Sequence, residues 1–105
     1  MAKLTIVYWR DIPAQIIGRA GRQTFKKQLS HRFQEAIDRA AMRAGRGSSD
    51  AYLSEWRREA REVPARELQA EVDRLASEFE STMTDEDLLR LVRAKGNNEV
   101  AAAKE

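Results

Sequence analysis

The sequence predicts an α+β domain, in which a small antiparallel sheet is packed by two main amphipathic helices and a short C-terminal helix. Three observations predict this class. Residues 4–13 form the run with the highest β propensity, and Asp11 and Pro13 bound it. A second apolar run that contains glycines follows it. Apolar residues at helical spacing then occupy much of the remaining chain.

The first strand, residues 4–9, is expected at the centre of the sheet. Its apolar side chains alternate between the two faces, with Leu4, Ile6 and Tyr8 on one and Val7 and Trp9 on the other. Because both faces are apolar, we expect the strand to be covered on two sides, or on one side with a partner on the other.

The second strand is predicted over residues 14–20 and pairs with the first as an antiparallel strand. Ile16 and Ile17 anchor it, whereas Gly18 weakens it and indicates an edge, a bulge or a close backbone approach. Residues 50–63 are ambiguous between helix and strand. We expect a short helical turn there, followed by a third strand within residues 55–63.

The first main helix is predicted over residues 31–44, with Ser30 as its N-cap and Gly45 after its end. Its narrow inner face consists of Phe33, Ile37, Ala40, Ala41 and Ala44. The second main helix is predicted over residues 64–81, because apolar residues recur there at spacings of three and four. These residues are Leu68, Val72, Leu75, Phe79 and Met83.

The short final helix begins after Thr84, which forms a capping box with Asp87, and ends at Gly96. Residues 1–96 are therefore predicted to form one domain, followed by a flexible tail over 97–105. Residues 45–49 are predicted to be a flexible connection. We expect the core beneath the sheet to contain Phe33, Ile37, Leu68, Val72, Leu75 and Phe79, together with Ile6 or Val7.

The composition excludes several function classes. The chain has no cysteine, which excludes thiolate catalysis and a disulfide scaffold and fits a reducing compartment. It has no signal-peptide pattern and no apolar run near the roughly 20 residues of a membrane helix. We therefore expect a cytoplasmic protein without membrane contact, and we predict no catalytic residue, no metal site and no cofactor.

Charge is unevenly distributed along the chain. Ten Lys/Arg oppose three Asp/Glu through Arg46, a balance of +7, whereas nine oppose fourteen from Gly47 onward, a balance of −5. Such an asymmetry indicates either an interaction surface on the basic half or two halves that complement each other within one fold. Both interpretations stay open.

Several local patterns are compatible with binding chemistry, but each has a simpler structural interpretation. The Gly18–Arg22 stretch lacks the glycine spacing of a phosphate loop, so a solvated edge strand is favoured. The basic run around Phe25 lacks a nucleic-acid reader motif, which favours a charged face between a strand and a helix. His31, the single histidine, is expected to be exposed in the first turn of a helix.

Four blocks of the chain resemble the small bacterial "virulence factor" domain family. They are MAKLTIVYWRDIPAQ at 1–15, RFQEAIDRAAMRAG at 32–45, DAYL at 50–53 and EWRR at 55–58. The resemblance extends to about Ala94. It implies an accessory role in one-carbon metabolism beside methylenetetrahydrofolate reductase or a corrinoid-dependent methyl-transfer enzyme, and it implies no catalytic residue.

Three functional hypotheses follow. The first is a non-catalytic accessory protein that binds a protein partner. Its predicted partner-binding residues are Trp9, Arg10, Asp11, Arg19 and Arg22. The second is a nucleic-acid-binding module that uses the basic N-terminal half. The third is a small-ligand binder at the Trp9, Arg10 and Trp56 region.

Overall fold

The computed structural model describes residues 2–45 and 49–96. Within these ranges the strands are β1 (Ala2–Trp9), β2 (Ile12–Ala20), β3 (Gln23–Gln28) and β4 (Trp56–Val63). The α-helices are α1 (His31–Arg43), α2 (Ser49–Ser54), α3 (Leu68–Thr82) and α4 (Asp85–Arg93). A short 3-10 turn, Ala65–Glu67, precedes α3. The predicted α+β class is confirmed.

The four strands form one antiparallel sheet in the order β3-β2-β1-β4. The central place of β1 and the third strand after Trp56 agree with the prediction. By contrast, β3 lies where the sequence favoured a charged face between a strand and a helix. Phe25 is the one apolar residue of β3, so the sequence there lacks the alternation that marks a strand. The strand forms because it pairs with β2.

The β1–β2 turn is tighter than predicted. Only Arg10 and Asp11 separate the strands, and β2 begins at Ile12 instead of residue 14. Pro13 therefore lies inside a strand, opposite Tyr8. A bulge after this pair removes Ala14 from the β1–β2 register and interrupts the ladder beside the proline. Such an interruption is what allows a proline within a paired strand.

Helix α3 covers one face of the sheet, which we call the covered face. Tyr8 of β1 makes an edge contact with Phe79 of α3, with 6.5 Å between ring centroids. On β2, a Cβ added to Gly18 would lie 2.8 Å from Leu68 and 2.9 Å from Val72. The glycine that weakens the strand pattern thus allows α3 to approach the backbone.

The predicted core is largely confirmed. Phe33, Ile37, Leu68, Val72 and Leu75 are buried, whereas Phe79 is partly buried at the edge of the core. The predicted second helix starts at Leu68 instead of residue 64, because the segment after Pro64 forms the 3-10 turn. Of the predicted flexible connection over 45–49, residues 46–48 lie outside the described residues, and Ser49 begins α2. The predicted tail over 97–105 also lies outside them.

The opposite face of β1 and its neighbours is open over most of its length. Strand alternation directs Lys3, Thr5 and Val7 of β1 away from α3. The corresponding positions on the neighbouring strands include the exposed residues Arg19, Lys26 and Arg58. Of the two arrangements predicted for β1, cover on one side is observed, and a partner on the other side stays a prediction. We call this surface the open face.

We expect Gly18→Ala to lower the free energy of unfolding by about 1–3 kcal/mol, because the new methyl group overlaps two buried side chains of α3. Urea denaturation measures this change. The double variant with Leu68→Ala provides the control, since removing the leucine relieves part of the overlap. Strictly additive effects of the two substitutions would contradict a direct clash.

The start of α1 is fixed to the end of α3 through Glu80. The Ser30 N–H and hydroxyl donate to the two oxygens of the Glu80 carboxylate, at 2.6 and 2.8 Å, and Arg32 donates at 3.3 Å. Ser30 is the N-cap, as predicted, although its hydroxyl does not cap α1. Partial burial raises the pKa of Glu80, but these hydrogen bonds outweigh it and hold the pKa below its ordinary value.

We expect Glu80→Gln to lower stability at pH 7 by about 1 kcal/mol, a value reduced for the partial exposure of this carboxylate. The pKa of Glu80 is lower in the folded state than its ordinary value of 4.5. Its carboxylate therefore stabilises the fold fully above pH 4.5, and this contribution is lost as the pH falls towards the lower, folded-state pKa. The difference between wild type and variant should therefore shrink below pH 4.5. Denaturation at several pH values measures it, and a constant difference would contradict the role of the charge.

Candidate functional site

Trp9, predicted to contact a partner, is completely buried. Its side chain is 0% exposed, its ring stacks on Tyr52 of α2 with 5.9 Å between centroids, and its indole N–H donates to the Tyr52 carbonyl at 2.9 Å. A Cβ on Gly96, just after α4, would lie 2.8 Å from the same ring. Trp9 therefore joins α2 and the end of α4 to the sheet.

Arg10 is also part of this structural connection. Its side chain is 12% exposed and lies 3.2 Å from a Glu55 carboxylate oxygen. The guanidinium donates to the Lys95 carbonyl at 2.9 Å and lies 5.2 Å from the centre of the Trp9 ring. Arg10 has a φ of 54°, a left-handed conformation that the surrounding contacts hold in place.

Asp11 completes what we call the hairpin corner, residues 9–11. Its carboxylate accepts from Arg57 of β4 at 3.1 Å, and its N–H donates to the Gly96 carbonyl at 2.8 Å. Arg57 also lies 4.3 Å from the centre of the Tyr8 ring and forms an ion pair with Glu59. Partial burial raises the pKa of the Tyr8 hydroxyl, and the Glu59 charge raises it further.

The five predicted partner-binding residues do not form one surface. The hairpin corner lies at one end of β2, whereas Arg19 and Arg22 are exposed at the other end. Ile12 and Arg19 are separated by seven residues of strand, or about 23 Å. Of the five, Arg19 belongs to the open face. Its role in binding a partner stays a prediction.

The register of the sheet defines the composition of the open face. Three rows cross the four strands, and each contains one residue per strand. From β4 to β3 the rows are Arg58, Val7, Gln15, Gln28; Ala60, Thr5, Ile17, Lys26; and Glu62, Lys3, Arg19, Thr24. Four cations and one carboxylate give this surface a net formal charge of +3.

The cations of the two faces differ in their pairing. On the covered face, Lys27 pairs with Asp73 at 3.8 Å, Arg61 with Glu71 at 3.6 Å, and Arg57 with Asp11 at 3.1 Å. The four open-face cations, in contrast, form no ion pair with any residue in 2–45 or 49–96. They are Lys3, Arg19, Lys26 and Arg58. Their charge is therefore available to a binding partner.

Apolar side chains occupy the middle of the open face. Val7 is only 6% exposed, whereas Ile17 and Thr5 are half-buried. Val7 lines an open cleft of about 500 Å³ with Gln15, Trp56 and two arginines of β4. A partly covered apolar centre surrounded by cations thus forms the candidate site.

The third hypothesis grouped Trp9, Arg10 and Trp56, which differ in their position relative to two clefts. Trp9 and Trp56 are paired across β1 and β4, and Tyr52 contacts both rings. Trp56 is half-buried and lines two adjoining clefts, whereas Trp9 and Arg10 line neither. A ligand in these clefts would thus contact Trp56.

Sequence reasoning missed Val7, Gln15, Gln28 and Arg58 as members of one surface. The alternation of β1 indicates the direction of Val7, but nothing local in the sequence relates it to Arg58, fifty-one positions later. Only the strand register brings these residues together.

The family model described as "Virulence factor" matches residues 7–92, most of the chain. The chain belongs to the virulence factor family. The match includes the hairpin corner and most of the open face, and confirms the resemblance inferred from the sequence blocks. Neither the curated proteins nor the solved structures yield a match.

The described residues of the virulence factor domain contain neither a metal-ligand cluster nor a membrane-spanning helix. Among the described residues, no cluster of three or more His, Cys, Asp and Glu side chains is arranged to hold a metal ion. No helix within the same residues has the length and apolar character needed to span a bilayer.

We expect Arg10→Ala to lower the free energy of unfolding by about 2 kcal/mol, because it leaves the Glu55 carboxylate and the Lys95 carbonyl without this donor. Substitution of an exposed partner-binding residue would instead leave stability nearly unchanged. Arg19→Ala is the matched control, and it should change stability by less than about 0.5 kcal/mol. Equal melting of the two variants would contradict a structural role for Arg10.

Proposed function

We propose that this virulence factor domain is an accessory protein that binds an acidic protein partner through its open face. The observation that supports it is the contrast between the two faces of the sheet. Every strand cation on the covered face has a carboxylate partner, whereas Lys3, Arg19, Lys26 and Arg58 have none among the described residues. Leaving four cations unpaired on one surface favours an anionic partner.

The arrangement of side chains favours a protein over a nucleic acid. Val7 and Ile17 provide an apolar centre, and the charged residues surround it, as in protein interfaces. Proteins that bind single strands on a sheet stack the bases on aromatic side chains. The rows defined above contain no aromatic residue on the two central strands.

The charge of the open face accelerates encounter more than it adds to affinity. Exposed cations attract an acidic surface over roughly a Debye length, about 8 Å at physiological salt, and the apolar centre then contributes desolvation. A methylenetetrahydrofolate reductase or corrinoid methyl-transfer partner, which the family resemblance implies, stays a prediction. The binding geometry requires only an acidic patch with an apolar centre.

The test is a comparison of two double variants in partner capture. Lys26→Ala with Arg58→Ala removes two open-face cations. Lys27→Ala with Arg61→Ala removes two cations from the same strands on the covered face. We expect the first pair to reduce capture of an acidic partner from the native cell at least tenfold. The second pair should change it less than twofold.

Two measurements complete the experiment. Mass spectrometry identifies the captured proteins, and capture is repeated over a series of salt concentrations. Capture through the open face should weaken as the salt concentration rises. A fraction of the partner should stay bound at high salt through the apolar contacts. An equal loss in both double variants would overturn the proposal. Retention that disappears on nuclease treatment would instead support the nucleic-acid hypothesis and also overturn it.

A further inference from the structure

A second, smaller cleft of about 330 Å³ lies between the end of the open face and helix α1. Its lining is polar but contains no aspartate, glutamate, lysine or arginine. The lining residues are Ala14, Gln15, Gln28, Leu29, His31, Gln34 and Trp56. Its volume is at the lower end of the range for ligand pockets, about 300–1,000 Å³, which suits one small molecule.

Three glutamine side chains converge on this cleft. Gln15 and Gln28 are directly opposite each other in the β2–β3 ladder, and neither side-chain amide forms a hydrogen bond within the described ranges. The Gln34 amide nitrogen donates to Asp38 at 3.1 Å and to the Tyr52 hydroxyl at 3.4 Å. These contacts orient Gln34 and leave its carbonyl oxygen as an acceptor.

The aromatic wall of the cleft is fixed in position. Trp56 is half-buried, and Tyr52 meets its ring edge-to-face at 5.7 Å and 84°. Tyr52 in turn stacks on the buried Trp9. An indole that is held on one side and accessible on the other can stack on a planar ligand with little loss of conformational entropy.

We propose that this cleft binds the base of a nucleotide, with Arg58 contacting the phosphate. A glutamine amide presents a donor and an acceptor side by side, which match the paired acceptor and donor on the edge of adenine. The indole of Trp56 supplies the stacking surface. An amide-rich lining without aspartate, glutamate, lysine or arginine fits an uncharged heterocycle better than it fits a carboxylate or an ammonium group.

The phosphate position follows from the neighbouring cleft. That cleft shares Gln15 and Trp56 with the first and adds Arg58. Arg58 and Gln15 lie in the same row, two strands apart, so their backbones are about 10 Å from each other. The long side chain of Arg58 can span much of this distance. An arginine with no ion-pair partner among the described residues provides a guanidinium suited to a phosphate.

The test is a titration of the full-length, ¹⁵N-labelled protein with adenosine monophosphate. We expect binding with a Kd below about 1 mM. The Trp56 indole signal and the side-chain amide signals of Gln15 and Gln28 should shift together. The indole signal of buried Trp9, which donates to Tyr52, should shift much less.

Matched variants on β3 identify the site. Gln28→Ala removes an amide from the cleft lining and should weaken binding at least tenfold. Gln23→Ala removes the same group at the other end of the strand and should leave the affinity unchanged within twofold. Both residues are exposed, so neither variant is expected to unfold the domain. Equal affinities of the two variants would overturn the proposal.

Three further probes define the ligand. Adenosine should shift the same signals with lower affinity, because it lacks the group that Arg58 contacts. The proposal of a base site would be overturned if inorganic phosphate alone produced the same signal shifts. It would also be overturned if the Trp56 indole signal did not shift at millimolar nucleotide. A short oligoadenylate should bind no more tightly than the mononucleotide, and tighter binding of the strand would overturn a mononucleotide site. Because Gln28 is not a cation of the open face, this result is separable from the partner-capture test.

Discussion

The burial of Trp9 at the hairpin corner is the constraint on which the rest of the structure depends. The ring is enclosed by Tyr52 of α2 and by Gly96 after α4, so two segments distant in the chain are fixed to the end of the sheet. Arg10 adds contacts to Glu55 and Lys95 in the same place. An aromatic–arginine pair, which is typical of binding hot spots, here stabilises the fold.

Covering only one face of the sheet divides the cations into two groups. The acidic outer residues of α3 reach the covered face and neutralise cations such as Lys27 and Arg61. No comparable acidic helix covers the other face in the described part of the chain, so Lys26 and Arg58 stay unpaired. Of the two interpretations of the charge asymmetry, complementary halves are observed in pairs such as Lys27 with Asp73, whereas an interaction surface on the basic half stays a prediction. The halves complement each other on one side, and a basic surface is left on the other.

Local signals predicted the elements whose side chains have a clear period or a local hydrogen bond. The spacing of Leu68, Val72 and Leu75 placed α3 in the core, and Thr84 with Asp87 forms the predicted capping box before α4. Strand β3 was missed because a largely polar edge strand has no period that sequence can reveal. Its existence depends on hydrogen bonds to β2, a tertiary partner.

The sequence by itself determined the fold class, the order of the main elements and most of the core, because amphipathic period and capping are local properties. Only the tertiary structure decided which candidate residues are accessible, since Arg10 and Arg19 are both arginines at strand ends and differ in burial. It also decided that Gln15, Gln28 and Trp56 line one cleft. Strand register and helix docking bring these positions together, and both depend on contacts between residues far apart in the chain.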